Sequence, residues 1–312
     1  MEDDATCISL AIGVIMRTDI ESVQNILERC DKMLDLNALK AKGIIAQKQE
    51  GYFVLRFLSK AGYFTADQMQ HLAEVAKKYG NGELGLTSRL TLEIPYIKEE
   101  NLEQALAFCK ERNLNIGGGG PSVRAILTCK GTVCKHGLVD TDRLARQMEE
   151  KFFARQLPGK FKISVLGCVN SYGKAQGNDL AFLAVKNVHL DTDKCIVCQK
   201  CIKACPDDAF TLTERTLGLE HDKCSRCGKC VPVCPVDALV QDDVEFLVFL
   251  GGRLGRVSRL ATPYRKKIKE EEMMIITEKV LAYYAAHAKP KERFAEVIER
   301  IGLEEVEHAV FN

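Results

Sequence analysis

The chain has 312 residues, of which 46% are hydrophobic and 28% charged, and its 44 basic side chains nearly balance its 43 acidic ones. This length predicts two domains, or one domain with a large insertion, and the apolar share excludes intrinsic disorder. A net charge of +1 argues against broad binding of nucleic acid or of membrane surfaces. Since no apolar run reaches the roughly 18 residues of a membrane span, we expect a cytoplasmic protein.

A helical leader is predicted at residues 1–40, followed by an α+β domain at residues 41–118. The predicted elements of that domain are a strand at 52–58, a helix that starts at the Thr65–Gln68 capping box, a strand at 87–95 and a helix at about 99–112. The four-glycine run Gly117–Gly120 closes this unit. The alternation of strands and helices indicates one sheet covered by helices.

A second α/β region is predicted at residues 119–186 and 240–312. Its predicted elements are a strand at 123–128, a helix near 140–153, strands at 161–166, 180–185 and 244–250, and two helices, one at about 270–288 and one that carries Phe294 and Ile301. Residues 187–239 interrupt this pattern with short elements, an internal repeat and eight cysteines. The predicted fold class is therefore α+β with a cysteine-rich domain inserted at 187–239.

The chain contains fourteen cysteines, and this number indicates a metalloprotein. Disulfides are rare in a reducing compartment, so clustered cysteines favour metal binding. Cys7, Cys30 and Cys109 have no partners at ligand spacing. We interpret these three as small buried hydrophobic residues.

The inserted segment repeats the pattern C-x2-C-x2-C-x3-C-P. We call residues 195–206 the first run and residues 224–235 the second run. Three thiolates of each run can reach three corners of one cubane, and the fourth cysteine of each run completes the other cluster. The predicted sets are Cys195, Cys198, Cys201 and Cys234 for cluster 1, and Cys224, Cys227, Cys230 and Cys205 for cluster 2. The alternative is structural zinc, which rarely shows this doubled spacing. The segment resembles bacterial two-cluster ferredoxins, which implies two [4Fe–4S] clusters and electron relay.

Three further cysteines, Cys129, Cys134 and Cys168, lie outside the insert, at or after the ends of two predicted strands. Loops that follow strands of one sheet can converge, so these sulfurs are candidates for a third cluster. The alternative is that they are buried structural cysteines.

The order of these segments resembles the sirohaem-dependent sulfite and nitrite reductases, and most of all the compact, ferredoxin-containing sulfite reductases of anaerobes. The resemblance covers roughly residues 40–310. The matching motifs are Leu86-Thr-Ser-Arg89, Ser122-Val-Arg124 running into Cys129, Leu157-Pro-Gly-Lys160-Phe-Lys162, Gly167-Cys168-Val-Asn170 and Gly251-Gly-Arg-Leu-Gly255-Arg256. The resemblance implies a nitrite/sulfite reductase-like fold whose first domain is of the ferredoxin-like, parachute type. It also implies a third [4Fe–4S] cluster and sirohaem.

By the same resemblance, two arginines and two lysines surround the bound anion, and the matching positions are Arg89, Arg124, Lys160 and Lys162. The residue pattern agrees, because Lys160 and Lys162 alternate with apolar Phe161 and Ile163 and so leave the same strand face. Arg89 lies on the polar face of its predicted strand. Such cations can hold a small oxyanion, and lysines can donate protons. The alternative is a solvated basic strand edge.

One position departs from the family. Its second cysteine pair reads C-x3-C, and the last sulfur both ligates the cluster and bridges to the sirohaem iron; here that position is Tyr172. The first pair is C-x4-C rather than the commoner C-x5-C. Three outcomes follow: Tyr172 ligates iron, the cluster keeps an open or water-ligated iron, or the sirohaem site is remodelled or lost.

The Gly/Arg loop at residues 251–259 carries Arg253, Arg256 and Arg259. Read alone it is compatible with phosphate binding, but it lacks the G-x-G-x-x-G order. The resemblance implies instead that these arginines pair with the carboxylates of sirohaem, and that Asn170 and Tyr172 also contact the cofactor. We interpret His136, close to Cys134, as a structural residue.

The leading hypothesis is an oxidoreductase that reduces a small oxyanion, most of all sulfite to sulfide, with electrons fed through the inserted ferredoxin module. One alternative is a non-catalytic iron-sulfur electron-transfer subunit that has lost or remodelled the sirohaem site. Others are a nitrite reductase, or a reductase of another small substrate. The expected partners are a small anion, an electron donor protein or reductase subunit, and further subunits of a homo- or hetero-oligomer.

Overall fold

The computed structural model describes residues 36–264 and 266–311, so most of the predicted leader, with Cys7 and Cys30, lies outside the described residues. The described chain forms two compact units. Unit 1 contains the residues up to Ala125 together with Glu149–Phe161 and Tyr284–Arg293. Unit 2 contains Ile126–Met148, Lys162–Tyr283 and the residues from Phe294 onward.

Unit 1 contains a four-stranded antiparallel sheet in the order β1-β2-β4-β3. Its strands are β1 (Ile44–Ala46), β2 (Tyr52–Phe57), β3 (Gly85–Leu86) and β4 (Leu92–Lys98), and its helices are α1 (Ala66–Tyr79) and α2 (Leu102–Glu111). The β2 side chains alternate, with Phe53, Leu55 and Phe57 buried, as a half-buried strand requires. These residues form one core with the inner faces of α1 and α2.

The predicted capping box of α1 is confirmed. The Gln68 N–H donates to Thr65 Oγ1 at 3.1 Å, and the Thr65 N–H donates to Gln68 Oε1 at 3.0 Å. These two bonds satisfy backbone donors that the first helical turn would otherwise leave unpaired. Local side-chain chemistry therefore determines where α1 begins.

The strand predicted at residues 87–95 is only partly present, because β4 begins at Leu92. Residues 87–91 form a tight turn in which the Thr87 N–H donates to the Thr91 carbonyl at 2.9 Å. Leu90 in this turn has φ +60°. Because the chain turns here, Arg89 lies in the turn and not on a strand face.

The glycine run after α2 is required by close backbone approach. A Cβ on Gly119 would lie 1.7 Å from the carbonyl oxygen of Lys40. Gly118 and Gly120 have φ values of +80° and +70°, in the left-handed region that glycine adopts without steric cost.

Unit 2 contains a five-stranded sheet in the order β13-β12-β7-β6-β5. These strands are β5 (Leu127–Thr128), β6 (Ile163–Leu166), β7 (Leu180–Val185), β12 (Glu245–Leu250) and β13 (Thr262–Pro263). The pairs β5–β6 and β6–β7 are parallel, whereas β7–β12 and β12–β13 are antiparallel. Every residue of β6 and β7 is buried, as is typical of strands covered on both faces.

Further helices in the described chain are α3 (Thr141–Phe152), α5 (Met273–His287), α6 (Phe294–Ile301) and α7 (Leu303–Phe311). The sequence predicts helices near 140–153 and 270–288 and one through Phe294–Ile301, and the structure confirms them. It shows α7 as an additional helix. Within the described residues, no helix combines the length and the apolar character needed to cross a bilayer.

The insert begins and ends on paired strands. Its elements are β8 (Val188–Leu190), α4 (Lys200–Ala204), β9 (Phe210–Thr213), β10 (Thr216–Leu219) and β11 (Leu239–Gln241). The strand β8 pairs antiparallel with β11, and β9 pairs antiparallel with β10. Just beyond β11 the Asp242 N–H donates to the carbonyl oxygen of Asn187 at 3.1 Å. The chain therefore leaves the sheet of unit 2 and returns to it at neighbouring positions.

Candidate functional site

The first group of sulfurs surrounds a cavity in the insert. Cys195, Cys198 and Cys201 of the first run and Cys234 of the second run line this cavity, which measures about 300 Å³ including its mouth. The other lining residues are mostly apolar and include Leu190, Leu217, Val236 and Leu239. The Ala238 N–H donates to Cys234 Sγ at 3.2 Å. Four thiols around an apolar cavity match the ligand set of a [4Fe–4S] cluster.

The second group contains the remaining cysteines of the two runs. Burial, and then the neighbouring charges of Cys224, Cys227 and Cys205, raise the pKa of the Cys230 thiol to about 12. Cys205 of the first run therefore lies beside three cysteines of the second run. Its Sγ accepts a hydrogen bond from the Ala209 N–H at 3.4 Å, and Cys224 Sγ accepts one from the Arg226 N–H at 3.4 Å. Clustered thiolates repel one another unless a cationic iron core lies between them.

The third group lies where two parallel strands end. Cys129 follows β5 and Cys168 lies two residues after β6, and these strands pair with Thr128 opposite Val165. The Gly167 N–H donates to Cys129 Sγ at 3.2 Å. The loop that carries Cys134 folds back over this strand end, because the Leu138 N–H donates to the Gly167 carbonyl at 2.8 Å. The strand register therefore brings the two loops that carry Cys129, Cys134 and Cys168 to one edge of the sheet.

Tyr172 does not turn toward this sheet edge. Its side chain is 88% exposed, and it forms no hydrogen bond or ion pair within the described residues. Asn170 is also exposed, but it lines a cavity together with Cys168 and His136. The exposure of Tyr172 favours the two alternatives in which its phenol does not ligate iron.

Unit 1 contains a cluster of arginines around Arg124. Its Nη1 donates to the Gly118 carbonyl at 2.5 Å, and Nη1 of Arg56 donates to the same oxygen at 3.3 Å. Burial, and then the charges of Arg56 and Arg293, lower the pKa of Arg124 to about 10, so its guanidinium stays protonated at neutral pH. Its Nε is buried and has no acceptor among the described residues. A buried donor among like charges is a site that favours an anion.

Backbone hydrogen-bond acceptors connect two other predicted cations of unit 1, Arg89 and Lys160, to the segment that carries Arg124. The Arg89 guanidinium donates to the Ala125 carbonyl, from Nε at 3.2 Å and from Nη2 at 2.8 Å. The Arg124 N–H donates to the Phe161 carbonyl at 2.9 Å, which places the segment of Lys160 beside it. Arg89 is half-buried and Lys160 is exposed. Unit 1 therefore gathers Arg89, Arg124 and Lys160 around residues 118–125.

Lys162 lies in unit 2, just before β6. Its N–H donates to Asp179 Oδ2 at 2.9 Å. The neighbours Phe161 and Ile163 are fully buried, whereas Lys160 is exposed and Lys162 half-buried. The alternation predicted from the sequence is present, although the regular strand begins only at Ile163.

The arginines of the Gly/Arg loop divide into two kinds. Arg253 pairs with Glu296 of α6 at 2.6 Å, and Arg259 pairs with Glu299 at 3.4 Å. Arg256 is exposed and forms no hydrogen bond or ion pair with any described residue. Of the three, Arg256 is the one whose guanidinium is available to an external carboxylate.

Sequence reasoning did not identify Arg56 and Arg293 as members of the cationic cluster. Arg56 was recognisable as the one charged residue in the predicted strand at 52–58, although its polar position alone does not indicate a site. Arg293 lies far along the chain between two helices, and no local pattern marks it. Its burial and its proximity to Arg124 depend on tertiary folding.

Family models match most of this chain. The model described as the nitrite and sulphite reductase 4Fe-4S domain matches residues 119–312, and the one described as the nitrite/sulfite reductase ferredoxin-like half domain matches residues 45–112. Together they cover both the cysteine loops and the cationic cluster.

Among the proteins that resemble the chain are two curated relatives and one solved structure. The coenzyme F420-dependent sulfite reductase of Methanocaldococcus jannaschii is 35% identical over 272 residues, which are 85% of this chain and 44% of that protein. One of the subunits of the anaerobic sulfite reductase of Salmonella typhimurium is 28% identical, over 56% of this chain and 57% of its own length. The crystal structure of dissimilatory sulfite reductase I matches with a TM-score of 0.68 at 19% identity, over 84% of this chain and 69% of that one. This last match concerns the fold alone.

The prediction that each cluster takes its fourth cysteine from the other run is testable. We expect Cys205→Ser to remove the cluster of the second run and Cys234→Ser to remove that of the first run, so iron content falls by about four per chain in each. Iron and sulfide analysis with EPR spectroscopy measures this. Cys109→Ser is the control, because burial raises the pKa of this thiol to about 12 and its side chain lies in the core of unit 1. Unchanged iron content in Cys205→Ser would contradict the assignment of Cys205 to the cluster of the second run.

The exposure of Tyr172 generates a second prediction. We expect Tyr172→Phe to leave the absorption and EPR spectra of the iron-loaded chain unchanged, because the phenol is exposed and forms no hydrogen bond or ion pair with a described residue. Cys168→Ser is the positive control and should change both spectra. A spectral change in Tyr172→Phe comparable to that in Cys168→Ser would show that the phenol ligates iron.

Proposed function

The chain belongs to the nitrite and sulphite reductase family, and from this membership we propose that it reduces a small oxyanion, sulfite to sulfide, with sirohaem and [4Fe–4S] clusters. The observation that carries the proposal is the buried Nε of Arg124, which lies among like charges with no acceptor in the described residues. An arriving anion supplies that acceptor and offsets the repulsion. Because the chain spans 44% of the length of the F420-dependent relative, the activity of that whole protein is a proposal here.

The cationic residues have separate roles in the proposed reaction. Arg124 binds the anion through its buried guanidinium, and Arg89, fixed on the Ala125 carbonyl, orients it from a neighbouring position. A charge pair at about 4 Å contributes roughly 4 kcal/mol at an effective dielectric near 20, so each cation contributes substantially to binding. The same charges stabilise negative charge that develops on the oxygens.

The lysines hold the protons in this proposal. Reduction of sulfite consumes several protons as its oxygens leave as water, and an ammonium can donate one to a leaving oxygen. Lys160 is exposed and so can regain a proton from solvent. The backbone of Lys162 is fixed by Asp179.

The cysteine groups and the Gly/Arg loop would hold the redox cofactors. Cys129, Cys134 and Cys168 would bind the third cluster, and Arg256 and Asn170 would contact the sirohaem periphery. When bound, sirohaem would supply a redox-active iron and the clusters would supply electrons one at a time. Tyr172, whose side chain is exposed, would not hold the third cluster.

A non-catalytic electron-transfer subunit is the second candidate, and the exposed Tyr172 at the family's bridging position favours it. In that case the chain would bind the clusters of the insert without tetrapyrrole. Tetrapyrrole content separates the two candidates directly.

The test uses the chain purified anaerobically and reconstituted with iron, sulfide and sirohaem. We expect a Soret absorption band, three clusters per chain and oxidation of reduced methyl viologen on addition of sulfite. Nitrite added in competition identifies the preferred anion. Failure to bind sirohaem together with the absence of sulfite and nitrite turnover would refute the catalytic proposal in favour of the electron-transfer subunit.

Substitution of Arg124 tests the proposed anion site most directly. We expect Arg124→Gln to lower kcat/KM for sulfite by about 100-fold, because it removes a preorganised cation from the anion site. Arg215→Gln is the matched control, since Arg215 is exposed in the turn between β9 and β10. Steady-state kinetics with reduced viologen measures both variants, and circular dichroism verifies the fold. An Arg124→Gln variant with unchanged kcat/KM would exclude this arginine from the anion site.

A further inference from the structure

The two cysteine runs of the insert have different surroundings within unit 2. Cys227 of the second run lines a cavity of about 910 Å³, including its mouth, together with Cys168 of the third group. One wall of this cavity is formed by residues 135–138 and 168–170, and the other by residues 226–229 with Pro232 and Gln241. The second run thus faces the third cysteine group across a shared cavity.

The cavity of the first run is not lined by any residue of the third group. Every residue that lines its cavity, from Leu190 to Leu239, belongs to the insert. At the mouth, Cys198 is exposed and Ile196 is 61% exposed. Of the eight cysteines of the two runs, Cys198 alone is exposed, so the first run is the more accessible of the two to an external electron carrier.

A hydrogen-bond network holds the second run against the sheet of unit 2. Asn187 Oδ1 accepts from Arg226 Nε at 3.3 Å and from Lys267 Nζ at 2.6 Å. Asn187 Nδ2 donates to Glu245 Oε2 on β12 at 3.2 Å, and Lys267 pairs with the same carboxylate at 3.0 Å. Asn187 therefore connects the loop between Cys224 and Cys227 to a strand of the sheet.

We infer that the two runs have fixed and different places in the electron route: the centre of the first run receives electrons from an external one-electron carrier, and the centre of the second run passes them to the centre at Cys129, Cys134 and Cys168. Asn187 is a positioning residue for the second step. The inference deepens the proposed function and rests on it for the final acceptor. Each step moves one electron from a reduced cluster to an oxidised one, with no bond made or broken.

The charges of the shared cavity provide a way to test this order. Its lining contains Lys135, Arg226 and Lys229 and no carboxylate. A positive charge beside two centres favours the reduced, more negative state of both. Lys229 and Lys200 occupy equivalent positions in the repeat, immediately before the third cysteine of each run. Only Lys229 lines the shared cavity.

The experiment compares Lys229→Glu with Lys200→Glu in the reconstituted holoprotein by EPR-monitored redox titration. We expect Lys229→Glu to shift two cluster midpoint potentials to more negative values and Lys200→Glu to shift one. Counting the shifted midpoints requires no prior assignment of the signals. Should either variant fail to bind iron, the Lys229→Gln and Lys200→Gln pair provides the same comparison with smaller shifts.

The reverse pattern, or one shifted midpoint in each variant, would overturn the inferred order. For Asn187, we expect Asn187→Leu to weaken the spin–spin broadening between the two neighbouring clusters in the fully reduced protein, while iron content stays unchanged. Unchanged broadening would remove Asn187 from the route. If Lys229→Glu shifts two midpoint potentials and Lys200→Glu shifts one, but sulfite is not reduced, the proposed function fails and the inferred order stands.

Discussion

The parallel register between β5 and β6 is the constraint on which the rest of the site depends. With Thr128 opposite Val165, Cys129 and Cys168 leave the sheet at the same edge, and Cys129 Sγ lies within hydrogen-bond distance of the Gly167 N–H. A Cβ on Gly167 would lie 3.1 Å from the Gly131 Cα and 3.0 Å from Thr141 Cγ2. The loops are therefore packed tightly enough that a shift of register by one residue would separate the sulfurs.

The arginine cluster of unit 1, in contrast to the tightly packed cysteine loops, contains unfavourable interactions. Arg124 is held by one carbonyl close to Arg56 and Arg293, and both burial and like charge disfavour its protonated state. Such an arrangement lowers the stability of the empty protein. The pair of Arg56 with Glu93 at 2.6 Å offsets part of the repulsion but leaves Arg124 Nε without an acceptor among the described residues. In the proposed function, an arriving anion would remove the unfavourable part of this balance.

The features that the sequence predicts correctly are the local ones. The capping box of α1 and the spacing within each cysteine run involve residues a few positions apart, and the sequence alone identifies them. The β7 strand was predicted with its observed bounds because it is continuously apolar. The strand at residues 87–95 was predicted too long because the pair of Thr87 and Thr91 closes a turn, and no alternation pattern reveals such a bond.

The cationic cluster and the cavities required the folded structure. The resemblance to a known family identified Arg89 and Arg124, but Arg56 and Arg293 join them through contacts between distant parts of the chain. The two cysteine runs have the same cysteine spacing in the sequence. Their difference arises from the position of Cys168 beside Cys227 and from Asn187, which belongs to neither run. Long-range packing thus supplied the distinctions that local spacing lacked.

The closed base of the insert, where β8 pairs with β11 and Asp242 bonds to Asn187, has a consequence for evolution. A segment whose two ends are neighbours can be gained or excised as a cassette, since one short turn between Asn187 and Asp242 would restore the chain. The same geometry allows a different segment to be grafted at this position without breaking a strand of the host sheet. The host sheet and the segment inserted into it can therefore diversify independently.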